Sequence, residues 1–280
     1  MTALVRQTSP SRLPAHERLA SVNADLFDRQ PLTRVVTGHD AVINLATHIP
    51  PSAWKMLFRP FWRLNDHIRR EGAANVAAAA LDGGATRLIQ ESFAPVYPDS
   101  GNRWIEESTP LEPVAYNMSL LDAETAAAGF SGAGRTGVVL RFAGFYGPDA
   151  IQVESYIDAL RRGWAAVPGD PDAFISSISH DDAASAVAAA LDAPPGAYNV
   201  ADDEPVTRRV FFGRLAERLG LNTPRFPPGW ISPLLGSAGR LMTRSLRISN
   251  RKLKDATGWA PKYPSVREGF AATLAEMGVS

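Results

Sequence analysis

The chain has 280 residues, 45% hydrophobic and 21% charged, and its 29 basic side chains are balanced by 29 acidic ones. That is enough apolar material for one large domain, or a domain with a smaller lobe, and the charge balance gives no basic field to attract nucleic acid. Cysteine is absent, which excludes disulfides, iron–sulfur clusters and thiolate zinc sites. No apolar run reaches the roughly 18–20 residues of a bilayer span, and the apolar start is cut short by Arg6, unlike a signal peptide. The expectation is a cytoplasmic protein without a membrane partner.

In chain order, residues 2–5 and 19–22 read as short strands, 32–37 as a helix, and 41–46 as a buried strand. A long helix is expected over 61–81, closed by Gly83 and Gly84. A strand over 87–90, a helix over 116–129 and a strand over 137–142 follow. Strands separated by helices imply right-handed crossovers and a parallel sheet, that is, a doubly wound Rossmann-like α/β fold. Further on come a helix over 153–162, a strand over 174–178, an alanine-rich helix over 183–191 and a strand over 198–200. A helix over 208–219 carries Val210, Phe211, Leu215 and Leu219 on one stripe. Residues 222–263, rich in proline, glycine and arginine, read as a loop-rich lobe. We therefore expect a nucleotide-binding domain over 1–150 and 173–200, with a small substrate lobe over 151–172 and 201–280.

Four segments carry chemistry. The first is Asp25 and Leu26 after the second strand; the second is the strand end Asn44-Leu45-Ala46-Thr47, with Asn65 opening the next helical stretch. The third pairs Ser92-Phe93-Ala94-Pro95-Val96-Tyr97 with Tyr116-Asn117-Met118-Ser119-Leu120, and the fourth is Arg141-Phe142-Ala143-Gly144-Phe145-Tyr146-Gly147-Pro148. In this order they resemble the extended short-chain dehydrogenase/reductases, the NAD-dependent epimerase/dehydratase group. The resemblance implies that Asp25 and Leu26 meet the adenine, although an aspartate there also suits a helix cap. It places Leu45, Ala46 and Thr47 beneath the phosphates and ribose, where small residues at strand ends let a ligand approach. Asn65 would face the ribose, and Phe142 and Ala143 the nicotinamide end. Gly144 stands where relatives carry a substrate-binding asparagine. Arg247, in a basic patch with Arg244, Asn250 and Lys252, stands where relatives hold a diphosphate, a role that suits a guanidinium; the same patch also reads as a solvated helix face.

The catalytic positions depart from the family. Relatives carry Tyr-x-x-x-Lys; here Tyr116 is followed by Leu120, and the hydroxyl position holds Phe93 with Ser92 one residue early. Bringing a phenol from a pKa of about 10 to about 7 takes roughly 4 kcal/mol of differential stabilisation, which a lysine supplies and a leucine does not. Glu91, if it faced the site, would raise the phenol pKa further. Tyr116 then reads either as an unionised donor that polarises a carbonyl or as an ordinary partly buried tyrosine, with Ser92 as the second catalytic candidate. His180 reads as a structural hydrogen-bonder, Asp181 or Asp182 as a helix cap, and Asp202, Asp203 and Glu204 as too closely spaced to hold a metal.

No Gly-x-x-Gly-x-x-Gly occurs in the first fifty residues, and residues 2–6 resemble the family's second strand. Either a unit of about thirty residues precedes Met1 or the chain has lost that phosphate cradle. Unpaired strand backbone is costly, which favours the first reading. Arg6 stands where relatives preferring NADP place a cation, so the expected cofactor is NADP or NAD, NADP ahead. The resulting expectation is an oxidoreductase or epimerase acting on a small polar or sugar-like molecule, homodimeric through residues 65–81 and 116–129 as relatives often are. The alternative is a catalytically weakened relative acting as a nucleotide or metabolite sensor.

Overall fold

The computed structural model describes residues 1–5, 16–50, 53–56, 58–115 and 117–279. A four-stranded parallel sheet runs through the molecule in the order Gly196–Val200, Thr136–Phe142, Arg87–Phe93, Ala41–Asn44. Thr2–Val5 and Ala20–Asn23 form a separate parallel pair, Thr2 facing Ala20 and Val5 facing Asn23. All these pairings are parallel, as a doubly wound α/β fold requires.

Side-chain alternation along each strand sorts the apolar residues into two layers. Leu88 and Val139 face a layer that holds Leu32, Val76, Ala80, Ala127 and Phe130, contributed by the helices Arg29–Val36, Ala73–Asp82 and Leu120–Gly132. Ile89, Val138 and Leu140 face the other, where the helix His180–Ala189 presents Ala183 and Ala186. Alanine lets these helices lie close. A Cβ on Gly137 would fall 2.1 Å from the Ala127 carbonyl oxygen. A further cluster gathers Val153, Ile157, Phe211, Phe212, Leu215, Val266 and Phe270.

Four sequence expectations change. The long helix over 61–81 is instead a 3-10 turn at Arg59–Trp62, an α-turn at Arg63–His67, a π-helical turn at Ile68–Gly72 and then Ala73–Asp82. The expected helix from residue 116 begins at Leu120, because Asn117 closes a turn on Val114 through both its backbone and its side chain. The stretch 222–263 is more helical than expected, with Gly236–Thr243 and Arg251–Thr257, and Val266–Glu276 follows. Ser179, not an aspartate, caps His180–Ala189 by accepting from the Asp182 amide at 3.0 Å. Asp182 instead accepts from the backbone amides of Lys262 and Tyr263, which ties the C-terminal segment to this helix.

Asp202 is buried beside Tyr146, and burial pushes its carboxyl well above the aspartate range, the Asp182 charge adding to this against the Ser177 hydrogen bond. The native state therefore holds this proton more tightly than the unfolded chain. Asp202 stabilises the fold most at acid pH, and that stability is lost as pH rises through the unfolded and then the folded pKa. Asp202→Asn should raise folding stability at pH 7 and flatten its decline above pH 4, an outcome that urea melts across pH will read.

Candidate active site

The carboxyl ends of the parallel strands come together with one end of the long broken helix. Asn44 Nδ2 donates to Gln90 Oε1 at 2.8 Å, and Asn44 Oδ1 accepts from the Ala46 amide at 3.2 Å, so the strand end turns over its own neighbour. Leu45 is 48% exposed and Ala46 and Thr47 are half-buried. Asn65 is fully buried, and its Oδ1 accepts from the His48 amide at 2.8 Å, which pins the loop after Thr47 to the helix. Its Nδ2 has no hydrogen-bond partner among the described residues.

At the other rim, Asp25 is exposed and its Oδ1 accepts from the Phe27 amide at 3.0 Å. The Leu26 carbonyl accepts from Asn75 at 3.1 Å and Phe27 stacks on His67 with ring centroids 4.0 Å apart, which seats this loop on the helix. Asp28, not Asp25, caps Arg29–Val36. The Asp25 carboxylate is thus engaged by one amide and is otherwise open to solvent.

Of the two catalytic candidates, Ser92 lies among the described residues. Tyr116 and Arg6 lie outside the described residues. The segments flanking Tyr116 are anchored: the Ala115 carbonyl accepts from Arg59, Asn117 Nδ2 donates to the Pro95 carbonyl at 3.2 Å, and Ser119 donates to Asp66 at 2.7 Å. Leu120 is 0% exposed and packs in the main apolar cluster with Ile89, Val96 and Tyr97. Ser92 is also fully buried, and its hydroxyl donates to Glu124 at 2.6 Å. That proton is committed to a network in which Arg141 grips Glu124 with Nε at 2.9 Å and Nη2 at 2.6 Å. Arg141 also donates to the Tyr97 hydroxyl at 2.7 Å, which in turn donates to Asn199. Burial raises the Tyr97 phenol to about 12 despite the Arg141 charge. Burial opposes the Arg141 charge as well, but Glu124 outweighs it and holds the guanidinium pKa above its ordinary value.

Sequence reasoning did not anticipate one pair. Arg69, on the π-helical turn, donates to Glu91 Oε1 at 2.8 Å, and the two are 4% and 9% exposed. The Glu91 carboxylate therefore has a buried cation of its own. Arg69 Nε and Glu91 Oε2 are left without partners among the described residues.

Around the fourth segment, Phe142 is in the core, the Ala143 amide donates to the Val200 carbonyl at 2.9 Å, and the Gly144 amide to the Ser176 carbonyl at 3.2 Å. A Cβ on Gly147 would meet the His180 ring at 2.5 Å. His180 packs near Phe145, and burial lowers its pKa. Arg247 lies over the rings of Trp104 and Phe174, 4.2 and 4.9 Å from their centroids, and donates to the Asn102 carbonyl. Arg244 is buried and binds the carbonyls of Tyr97 and Glu112 and the Glu112 carboxylate, so Arg244 and Arg247 engage different partners. The carboxylates of residues 202–204 also part company: Asp202 accepts from Ser177, Asp203 from Asn250 and Lys254, and Glu204 from Arg267.

A model of the NAD dependent epimerase/dehydratase family matches residues 1–201. The chain belongs to that family. This epimerase/dehydratase-family chain is 30% identical over 289 residues to a 3-diazoavenalumate denitrifying reductase from a Streptomyces species, covering 96% of this chain and 90% of the relative. Its fold superposes on dTDP-glucose 4,6-dehydratase from Streptomyces venezuelae, solved with NAD bound, with a TM-score of 0.77 at 22% identity, covering 98% of this chain and 86% of that one. UDP-glucose 4-epimerase from Thermus thermophilus, solved with NAD, gives 0.76 at 23% identity, covering 99% and 90%. The Rossmann-like reading of the sequence thus holds for this family member. Among the described residues, no helix is long and apolar enough to cross a membrane.

Proposed function

We propose that this protein is a nicotinamide-dependent reductase whose hydride acceptor needs no proton from a tyrosine–lysine pair. The observation that carries this reading is Leu120: at the position where relatives place the lysine, a fully buried leucine packs into the apolar core. Phe93 and the engaged hydroxyl of Ser92 leave the neighbouring position without a free donor. An oxygen that gains charge during reduction calls for a proton donor or a fixed cation. Acceptors that expel a neutral leaving group do not.

A nicotinamide cofactor supplies, when bound, two electrons as hydride. Asn65 supports its placement here, since a buried amide nitrogen without a partner at the strand ends is ready to donate to a ligand oxygen. Asp25 and Leu26 would hold the adenine end, with Leu45, Ala46 and Thr47 along the phosphates. The 30%-identical relative is named for reducing a diazo compound with loss of nitrogen. In an aryl diazonium ion, hydride forms one C–H bond while the C–N pair leaves with dinitrogen, and no oxygen is protonated. An electron-poor acceptor of that class suits a site lacking the lysine. Tyr116 would then orient the acceptor as a neutral phenol. A nucleotide sugar is the second reading, favoured by the likeness of fold to sugar-nucleotide enzymes, with Gly144 and Arg247 toward the sugar diphosphate.

The test follows oxidation of NADH and NADPH with an aryl diazonium salt, with ketones and with UDP-glucose. Turnover is expected with the diazonium salt, and Tyr116→Phe should keep most of it. A loss of about 10²–10⁴-fold in that variant, the size of a missing acid/base group, would return the tyrosine to proton transfer and overturn the reading. Cofactor binding without turnover on any acceptor would favour the sensor alternative.

A further inference from the structure

Asn65 accepts from the His48 amide at 2.8 Å, so residues 48–65 leave the strand ends and return to them at one point. Within this excursion the Trp62 indole donates to the Met56 carbonyl at 2.9 Å. The short helix Ala53–Met56 packs against Ile151–Arg161, the helix that follows the fourth segment. Arg59 donates to the Ala115 carbonyl, one residue before Tyr116. The excursion therefore reaches from the turn that carries Tyr116 to the helix beyond Gly144, the two places assigned above to the acceptor.

Its composition is one-sided. The chain as a whole carries 29 basic and 29 acidic side chains, yet no Asp or Glu occurs between Asp40 and Asp66, while Lys55, Arg59 and Arg63 do. Phe58 and Phe61 are 53% and 40% exposed, and Lys55 lies over the Phe61 ring, 5.5 Å from its centroid. The Arg59 side chain is 55% exposed. A guanidinium has five N–H donors; Arg59 gives one to Ala115, and Asp66, 3.8 Å away, lies beyond hydrogen-bond range. Donors remain for a carboxylate bound through both oxygens.

A bare aryl diazonium ion is a cation, and a wall of this charge repels it. An aryl group that carries its own carboxylate is attracted by the same charges. Its ring lies against apolar surface, and its anion meets a fork of matching geometry. Resting on the reductase reading, which it deepens, we propose that this excursion selects aromatic acceptors bearing a carboxylate, with Arg59 as the residue that holds the anion. The cofactor's phosphates are anions as well, so the experiment separates the two.

Kinetics with NADH compare 4-carboxybenzenediazonium with benzenediazonium in the wild type, Arg59→Gln and Arg59→Lys, and fluorescence titration gives the NADH affinity of each. The wild type should favour the carboxylated acceptor by about tenfold in KM, the size of one charge-assisted hydrogen bond. Arg59→Gln should abolish that preference and Arg59→Lys should keep part of it, with NADH affinity unchanged in both. Equal KM values in the wild type, a preference that survives Arg59→Gln, or a loss shared equally by both acceptors overturns the assignment. The last of these would mean that Arg59 serves to anchor residue 115. Weaker NADH binding in Arg59→Gln with the preference intact gives the guanidinium to the cofactor phosphates and likewise overturns it. Benzoate and benzamide, titrated into the wild-type NADH complex, carry the test if Arg59→Gln does not fold. Benzoate should bind about tenfold more tightly, and equal affinities overturn the site. The same pair decides the matter if neither diazonium is turned over, an outcome that sinks the reductase reading and leaves the anion site to stand or fall on benzoate.

Discussion

Arg141→Leu should cost about 3–5 kcal/mol of folding stability, the range for breaking a buried ion pair by removing one partner. Arg141 and Glu124 are almost fully enclosed, with side-chain exposures of 7% and 13%, and bond through two parallel contacts. Glu124 also accepts from Ser92, so losing Arg141 strands a carboxylate whose remaining neighbour is a neutral hydroxyl. The Tyr97 hydroxyl loses a donor in the same step. The network joins two central strands to the helix Leu120–Gly132, and the damage should reach all of them. Urea unfolding of the wild type and the variant measures the loss. A second variant, Arg141→Leu with Glu124→Leu, should recover much of it, because the stranded charge leaves with its partner. A single-variant cost below about 0.5 kcal/mol would mean that the pair is hydrated in solution.

Leu120→Lys is the second large effect. On sequence grounds this change restores the family's lysine and invites turnover. The structure gives the opposite expectation, since the side chain lies at 0% exposure among Ile89, Val96, Tyr97 and Leu140. Fully buried lysines lose about 3–5 pKa units, which corresponds to roughly 4–7 kcal/mol. The native lysine would then bind its proton less tightly than the unfolded chain does, so the variant's stability should rise with pH and its deficit be worst at acid pH. Urea melts at pH 6 and pH 9 check the sign. A stable variant with new ketone reductase activity would show that the position opens to the site and would sink the reductase reading built on Leu120.

The parallel sheet was legible because its strands are runs of β-branched and apolar residues, such as Ala41–Asn44 and Thr136–Phe142, and because helices separate them. Helix starts were less so. Asn117 diverts the chain into a turn, and only its three-dimensional partners, Val114 and Pro95, show that it does. The long helix reads as continuous in sequence because its apolar spacing survives the 3-10 and π-helical turns that re-aim its side chains. Within the site, Asn65 and the strand end at Ala46 were visible as types in an order, whereas the Arg69–Glu91 pair was not. Its members are separated by 22 positions, and nothing local marks one as the other's partner. Gly236–Thr243 was missed because its two glycines in eight residues read as loop.

Two buried arginines fasten the loops by their main chains. Arg208 donates to the carbonyls of Pro168, Met242 and Arg244, and Arg244 to those of Tyr97 and Glu112. Every amino acid offers a main-chain oxygen, so apart from the Arg244–Glu112 ion pair these anchors ask nothing of the side chains at the bonded positions. Positions 168 and 242 can therefore exchange residues without losing their seats, whereas Glu112 also holds Arg244 through its carboxylate. Side chains at those two positions can drift while the two arginines keep the main chain in place.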